Sequence, residues 1–245
     1  MDILKSIVIW LIGLAFILLF FPVTLVIWIL FLPFDRERRI VHWLLVYQAL
    51  MISLIIPIWR VRIEGREKAV PGTTYVIISN HQSILDILFL NCLRYRFKWI
   101  SKKEVYNYPL LGQYLKMADY ITVDRSDAES KRIMLLDSYN SLVNGVSIMI
   151  FPEGTRTPDG EIKFFKRGAF QLAISAKKPI LPVIIDGSGS VLPKHGLVFK
   201  GFHKILIRVL DPVSPENFGT EECEKLAMKF QEMMAAELKR FRTNG

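Results

Sequence analysis

The sequence predicts an α/β fold in which a mixed sheet is flanked by helices and preceded by an N-terminal hydrophobic two-helix membrane motif. Three observations predict it. Two long uncharged runs open the chain, short apolar runs alternating with polar or helical stretches follow Trp59, and nearly all of the net positive charge lies in that second part. Residues 1–59 are therefore expected to form a membrane-anchoring helical hairpin, and residues 60–245 an α/β domain.

The hairpin comes first. No charged residue occurs from Ser6 to Phe34, and from Ile40 to Trp59 only His42 is titratable apart from Tyr47. Both runs exceed the ~18 apolar residues expected of a membrane segment. The first is too long for the apolar core of a cleaved signal peptide and lacks a small-x-small cleavage site, so it should be retained. As one helix it would reach roughly 43 Å, against a hydrocarbon core of ~30 Å. Pro22, near its middle, is expected to break or tilt it. Two spans, or one hairpin dipping into a single leaflet, both return the chain to its starting side. Lys5, Arg60 and Arg62 mark that side as cytoplasmic, whereas Arg36, Arg38 and Arg39 at the hairpin tip oppose two full spans. The expectation is a leaflet-embedded hairpin whose tip arginines reach back to headgroups.

Formal charge is +9, and residues 1–59 carry four basic and three acidic side chains, which leaves about +8 on residues 60–245. A basic domain beside a membrane suits anionic lipid or an acidic partner. Nucleic acid is not expected, because no zinc-finger, RNP-like or helix-turn-helix pattern accompanies the charge. Cys92 and Cys223 make no disulfide framework and no Asn-x-Ser/Thr acceptor occurs, both consistent with a reducing, cytoplasmic face.

Within the second part, the alternating Arg60–Gly65 segment reads as a half-exposed strand, and Pro71-Gly72 as a turn leading into a buried strand over Thr74–Ser79. Ile84–Leu93 reads as helix. Further strands are expected at Tyr120–Val123, Ser147–Phe151, Ile180–Ile185 and Lys204–Leu210. Helices are expected at Ser126–Asn144, Arg167–Ala176 and Thr220–Phe241. The last carries Leu226, Phe230, Met234, Leu238 and Phe241 at three- or four-residue steps, an apolar stripe suited to packing.

Three expected strand ends carry chemistry. The first runs into SNHQSILD at 79–86. A lone histidine after a strand is usually an ordinary polar loop residue. Here Asn80 and Ser83 can cap a helix start, and a strand-to-helix junction puts side chains at the carboxyl edge of a sheet, where α/β proteins bind ligands. Five residues correspond to about 500° of helical rotation, so His81 and Asp86 share no helix face. With His81 before the helix and Asp86 in its first turns, the carboxylate reaches back to the imidazole, fixes its tautomer and supports its positive charge. That is how a general base is built. Backbone N–H groups at the helix following His81 are the expected donors to a tetrahedral oxyanion.

The second strand end is IFPEGTRT at 150–157, and the third is ITVDRS at 121–126. Arg156 can contact a phosphate bidentately and Gly154 lets backbone approach a ligand. Lys163, Lys166 and Arg167 extend the basic character. Arg94, Arg96, Lys98, Lys102 and Lys103 form a dense run that reads as a basic rim or a solvated face. A base, a carboxylate and two arginines at one edge fit transfer of a group to a hydroxyl of a phosphorylated acceptor. Competing classes find less support: no Gly-x-Ser-x-Gly elbow exists, since Ser188 in GSGS lacks that spacing, and neither HExxH nor a ligand spacing among His81, His195 and His203 indicates a metal. A non-catalytic lipid-binding protein would need the hairpin and the charge but not the strand-end residues.

These residues resemble the motifs of the glycerolipid acyltransferases, a family that includes the 1-acylglycerol-3-phosphate acyltransferases. SNHQSILD resembles their His-x4-Asp motif. Lys103-Glu104-Val105 through Tyr108–Gly112, leading to Val123-Asp124-Arg125, is similar to the second block. FPEGTR at 151–156 is similar to the third, with Thr157 where many members carry serine, and Ile180–Ile185 to the fourth, with Leu181 where valine is common. The resemblance covers roughly Arg60–Leu210, and four ordered blocks are a far more specific signal than His-x4-Asp alone. It implies that His81 is the base and Asp86 its partner. It also implies that Arg125, Glu153, Gly154, Thr155, Arg156 and Lys166 surround the acceptor's glycerol and phosphate, and that Pro182 shapes the acyl-donor side. It further implies an acceptor of lysophosphatidic acid, or else another lysophospholipid or glycerol 3-phosphate, a donor of acyl-CoA or acyl-carrier protein, and no metal or other cofactor.

Overall fold

Hydrophobic periodicity and turn chemistry account for most of the elements in the computed structural model, which describes residues 2–214, 216 and 223–244. The first uncharged run is one helix, α1 (Asp2–Phe31), long and apolar enough to cross a membrane. Pro22 lies inside it and does not break it. The turns on either side of Pro22 are fastened from outside. Phe21 packs edge-on against Tyr114 with ring centroids 5.3 Å apart, and Gln48 donates to the Thr24 hydroxyl at 2.9 Å. The Asp35 carboxylate accepts the N–H groups of Arg39 and Ile40, both at 2.8 Å, and thereby starts α2 (Arg39–Ile55).

Among the described residues, seven strands form one sheet in the order β1-β7-β6-β2-β5-β3-β4. They are β1 (Trp59–Glu64), β2 (Val76–Ser79), β3 (Phe97–Lys102), β4 (Ile121–Val123), β5 (Ser147–Ile150), β6 (Ile180–Asp186) and β7 (His203–Val209). Neighbouring strands are parallel except β6 and β7, so the sheet is mixed. Helices α3 (Asp86–Asn91) and α4 (Leu111–Met117) lie with α1 and α2 on one face, over Phe89, Phe97, Trp99 and Leu181. Helices α5 (Ala128–Val143), α6 (Gly168–Ala176) and α8 (Cys223–Asn244) cover the other, over Val76, Ile148 and Phe170. A single turn of helix, α7 (Ser188–Val191), follows β6.

Three elements escape the hydrophobic pattern, β3, α4 and the single turn α7. In β3, Phe97 and Trp99 are buried as strand alternation requires, but Lys98 between them is also buried and its Nζ lies 2.5 Å from the Asp119 carboxylate. Lys98 therefore belongs to an ion pair and not to the basic rim, because the exposed Asp119 supplies the partner a buried ammonium needs. Helix α8 begins its description at Cys223; the expected start at Thr220 lies outside the described residues. Its stripe is buried, with Leu226, Phe230, Met234 and Leu238 packed against α6 and the sheet, while the Arg208 guanidinium lies over the Phe241 ring at 4.4 Å.

The hairpin does not stand apart from the sheet. Trp10 Nε1–H donates to the Leu197 carbonyl at 2.9 Å, and Phe199 N–H donates to the Ser6 hydroxyl at 2.8 Å. His42 Nε2–H donates to the Tyr95 carbonyl at 2.8 Å, leaving Nδ1 to accept from the Tyr120 hydroxyl at 3.1 Å. The first turns of both helices are thus bonded to the domain.

Leu238→Ala should cost about 2–5 kcal/mol, the range for emptying a buried leucine site, whereas Met233→Ala, on the exposed side of α8, should change stability by no more than about 0.5 kcal/mol. Urea unfolding in detergent measures both, and equal effects would mean that α8 is not a packing helix.

Candidate active site

Because β2, β5, β3, β4 and β6 run parallel, their carboxyl ends lie along one edge of the sheet. That edge receives His81 from β2, Phe151 to Thr157 from β5, Asp124 and Arg125 from β4, and Asp186 to Ser188 from β6.

His81 leaves β2 in extended chain, and Asp86 is the first residue of α3. The imidazole Nδ1–H donates to Asp86 Oδ2 at 2.7 Å. The same oxygen accepts the N–H groups of Gln82 at 2.7 Å and Ser83 at 2.9 Å, and Oδ1 accepts the Ser188 hydroxyl in a short hydrogen bond. Asp86 is fully buried, and these four donors stand in for the water it has lost. The five-residue spacing thus has a cause: residues 82 and 83 must wrap the carboxylate so that their N–H groups point at it. Those two N–H groups are therefore not available to an oxyanion. With its proton on Nδ1, the ring presents Nε2 as a base, and among the described residues Nε2 has no hydrogen-bond partner. The ring stacks on Phe151 at a centroid distance of 3.9 Å and 8°, and Phe151 stacks in turn on Trp99 at 5.4 Å.

The segment after β5 clamps the backbone of His81. Glu153 Oε1 accepts His81 N–H at 2.8 Å and its Oε2 accepts Lys163 N–H at 3.1 Å, while Thr157 N–H donates to the His81 carbonyl at 2.8 Å. Glu153 is buried and turned away from the open edge. Gly154 has φ of +69°, a left-handed turn that favours glycine, and the Lys166 side chain passes beside it, its Nζ 2.8 Å from where a Cβ would stand. Arg125 donates to the Gly154 carbonyl in a short hydrogen bond. Arg125, Gly154 and Lys166 therefore converge, with exposed Thr155 and part-exposed Arg156 on the same turn. Among the described residues the Arg156 guanidinium makes no hydrogen bond or ion pair. Pro182 is not brought to this edge. It lies buried in mid-β6, opposite Ile78, where its carbonyl accepts Leu210 N–H at 2.9 Å.

A family model described as Acyltransferase matches residues 60–186, half of the chain and all of the strand ends just described except the final Ser188 turn. The chain belongs to the acyltransferase family. The chloroplastic 1-acyl-sn-glycerol-3-phosphate acyltransferase of Brassica napus is 34% identical to this acyltransferase over 179 residues, covering 72% of this chain and 52% of the relative. The mouse 1-acyl-sn-glycerol-3-phosphate acyltransferase alpha is 32% identical over 188 residues, covering 76% and 66%. The chain thus spans about half the length of the plant relative and less than two thirds of the mouse one. The solved structure of the 1-acyl-sn-glycerophosphate acyltransferase PlsC from Thermotoga maritima superposes with a TM-score of 0.84 at 26% identity, covering 98% of this chain and 96% of the other.

Sequence reasoning missed two residues of the acyltransferase site. Ser188 reads as a serine without a hydrolase elbow, yet its hydroxyl fills the fourth place around Asp86; its only local signal is a Gly-Ser pair directly after a strand. Arg242, near the end of α8, pairs with Glu161 at 2.7 Å and Asp186 at 2.8 Å and donates to the Gly160 carbonyl at 3.0 Å. Gln82 donates to the same Gly160 carbonyl at 3.2 Å and to Asp186 at 3.1 Å, so α8 closes over the residue next to the base. No local pattern announces that contact. Among the described residues no three His, Cys, Asp or Glu side chains gather as a metal site. A half-open apolar groove of about 540 Å³ lies elsewhere, between the end of α2 and β1, lined by Leu50, Leu54, Trp59, Ile63, Cys92 and Phe202 among others.

Burial pushes the Glu153 carboxyl up to about 7, against the pull of its two N–H donors. Its folded value is raised, so the folded protein holds a proton that the unfolded chain releases. Stability should then fall as pH rises from about 4.5 to 7, by about 3 kcal/mol. Urea midpoints across that window should show the slope in the parent and a flattened profile in Glu153→Gln; identical profiles would remove Glu153 as its source.

Proposed function

We propose that this chain transfers a fatty acyl group from an acyl thioester to the free 2-hydroxyl of 1-acylglycerol 3-phosphate, lysophosphatidic acid, to give phosphatidic acid. The observation that carries this reading is the His81–Asp86 pair, whose 2.7 Å bond leaves Nε2 as the one open ring nitrogen at a sheet edge where, among the described residues, Arg156 and Lys166 have no acidic partner. The names of the relatives support the acceptor. The donor is acyl-CoA or acyl-carrier protein, a co-substrate, and the reaction requires no metal or other cofactor.

The chemistry follows from the groups present. A glycerol hydroxyl is a poor nucleophile at neutral pH, so removal of its proton by Nε2 in the transition state contributes typically ~10²–10⁴-fold. The hydroxyl oxygen forms the new ester bond to the thioester carbonyl carbon as the C–S bond breaks. The leaving thiol, with a pKa near ~8.5, departs readily, and the proton held by His81 returns to it. Asp86 stabilises the imidazolium between those events. Arg156, Arg125 and Lys166 bind the acceptor phosphate, with Gly154 and Thr155 lining its approach. Glu153, through its two backbone bonds, holds His81 and that loop in register.

The site works at the cytoplasmic face of a membrane with the α1–α2 hairpin embedded in one leaflet. Two features support this: an apolar outer face on α1, and the bonds of Ser6, Trp10 and His42 to the domain, which hold it against the hairpin. At ~0.8 kcal/mol per buried CH₂, neither the one-chain acceptor nor the two-chain product would readily leave the bilayer.

His81→Ala should lower turnover by at least about 10²-fold with unchanged membrane association, in an assay of purified protein, lysophosphatidic acid and acyl-CoA; near-normal turnover overturns the base assignment. Asp86→Asn tests the charge alone, since an amide oxygen can accept the three N–H bonds while its NH₂ donates to Ser188, and it should retain the fold yet lose most of the rate. For Arg156→Ala, half-saturation by lysophosphatidic acid should rise about 10-fold or more. An unchanged value excludes Arg156 from the phosphate site, and competition by glycerol 3-phosphate or another lysophospholipid identifies a different acceptor.

A further inference from the structure

Between α7 and β7 the chain runs Leu-Pro-Lys-His-Gly-Leu-Val-Phe-Lys-Gly-Phe, residues 192–202. It buries two of its large apolar side chains, Leu192 and Phe199, and exposes three. Phe199 packs against Trp10 and Trp59 at centroid distances of 5.3 and 6.3 Å, whereas Leu197 is 73% exposed and Phe202 53%, with Val198 between them also exposed. The exposed three are interleaved with Lys194 and Lys200, and Lys204 and Arg60 follow on the adjoining strands, the Arg60 guanidinium 5.9 Å from the Phe202 ring. Apolar tips among cations match the headgroup boundary of an anionic leaflet.

The position of the loop argues for the same partner. Trp10 Nε1–H on the Leu197 carbonyl and Phe199 N–H on the Ser6 hydroxyl tie it to the first turns of α1, whose outer face there is Ile3, Leu4, Ile7 and Leu11, all exposed. The loop thus continues the apolar surface of the hairpin. We propose that residues 192–202 form a second bilayer contact, with Leu197, Val198 and Phe202 entering the headgroup–acyl boundary of an anionic leaflet and Lys194, Lys200 and Lys204 binding its phosphates. This inference rests on the reading that the hairpin is embedded in one leaflet. It also sets the height of the catalytic base. The Ser83 hydroxyl donates to the Leu192 carbonyl at 2.7 Å, and Ser188, at the other end of the same connection, holds Asp86. The bilayer contact and the turn that carries His81 are therefore two ends of one short strap.

The test uses the full chain with Cys223 replaced by serine; the buried Cys92 should stay unlabelled, which labelling of that parent checks. Single cysteines at Leu11, Leu197 and Leu136, the last exposed on α5 across the sheet, each carry an environment-sensitive fluorophore in phosphatidylcholine–phosphatidylglycerol vesicles containing a brominated quencher lipid. Labels at 11 and 197 should shift to the blue and be quenched, and the label at 136 should do neither. A label at 197 that behaves like 136 while 11 is quenched overturns the loop contact and leaves the hairpin standing; loss of quenching at 11 overturns both. Lys194→Gln with Lys200→Gln should at least halve quenching at 197 and leave 11 unchanged. Unchanged quenching at 197 removes the lysine–phosphate part of the proposal.

Discussion

The rest of the site depends on a buried carboxylate. Asp86 has no contact with water and accepts four hydrogen bonds, from an imidazole, two consecutive backbone N–H groups and a serine hydroxyl. Burial of an unpartnered carboxylate would be prohibitive, and removal of any one donor leaves part of that cost exposed. The arrangement therefore forces the 81–86 turn into one shape. It aims the imidazole, selects its tautomer and joins the end of β2 to the end of β6 through Ser188.

A second carboxylate does for the backbone what Asp86 does for the ring. Glu153 takes the N–H of His81, Thr157 supplies a donor to its carbonyl, and Phe151 lies flat on its imidazole. One short segment after β5 thus holds the base on three sides while its outer turn, opened by Gly154, carries the cations. The division of labour is by direction. Residues pointing inward from this segment fix geometry, and those pointing outward, Thr155 and Arg156, reach the surface.

The hairpin and the domain are likewise one packed object. Bonds from Ser6, Trp10 and His42 cross the junction, and the 192–202 strap links the first turns of α1 to the turn that carries His81. The exposed apolar residues of that strap and the turn that carries His81 are thereby held by the same short connection.

Much of this was determined by local sequence. Charge-free length marked α1 and α2, period-two alternation marked β1, continuous apolar runs marked β2 and β5, and a polar turn after β2 marked His81 with Asp86, because each of these signals is set by residues close together in the chain. Only the tertiary structure decided which donors complete Asp86, that Glu153 turns inward, that Lys98 finds Asp119, that Pro182 stays within the sheet, and that Arg242 closes over Gln82. Each of those contacts joins residues from separate elements. A buried polar group takes whichever partner the packed strands bring within about 3 Å, and no local pattern in the chain encodes that partner.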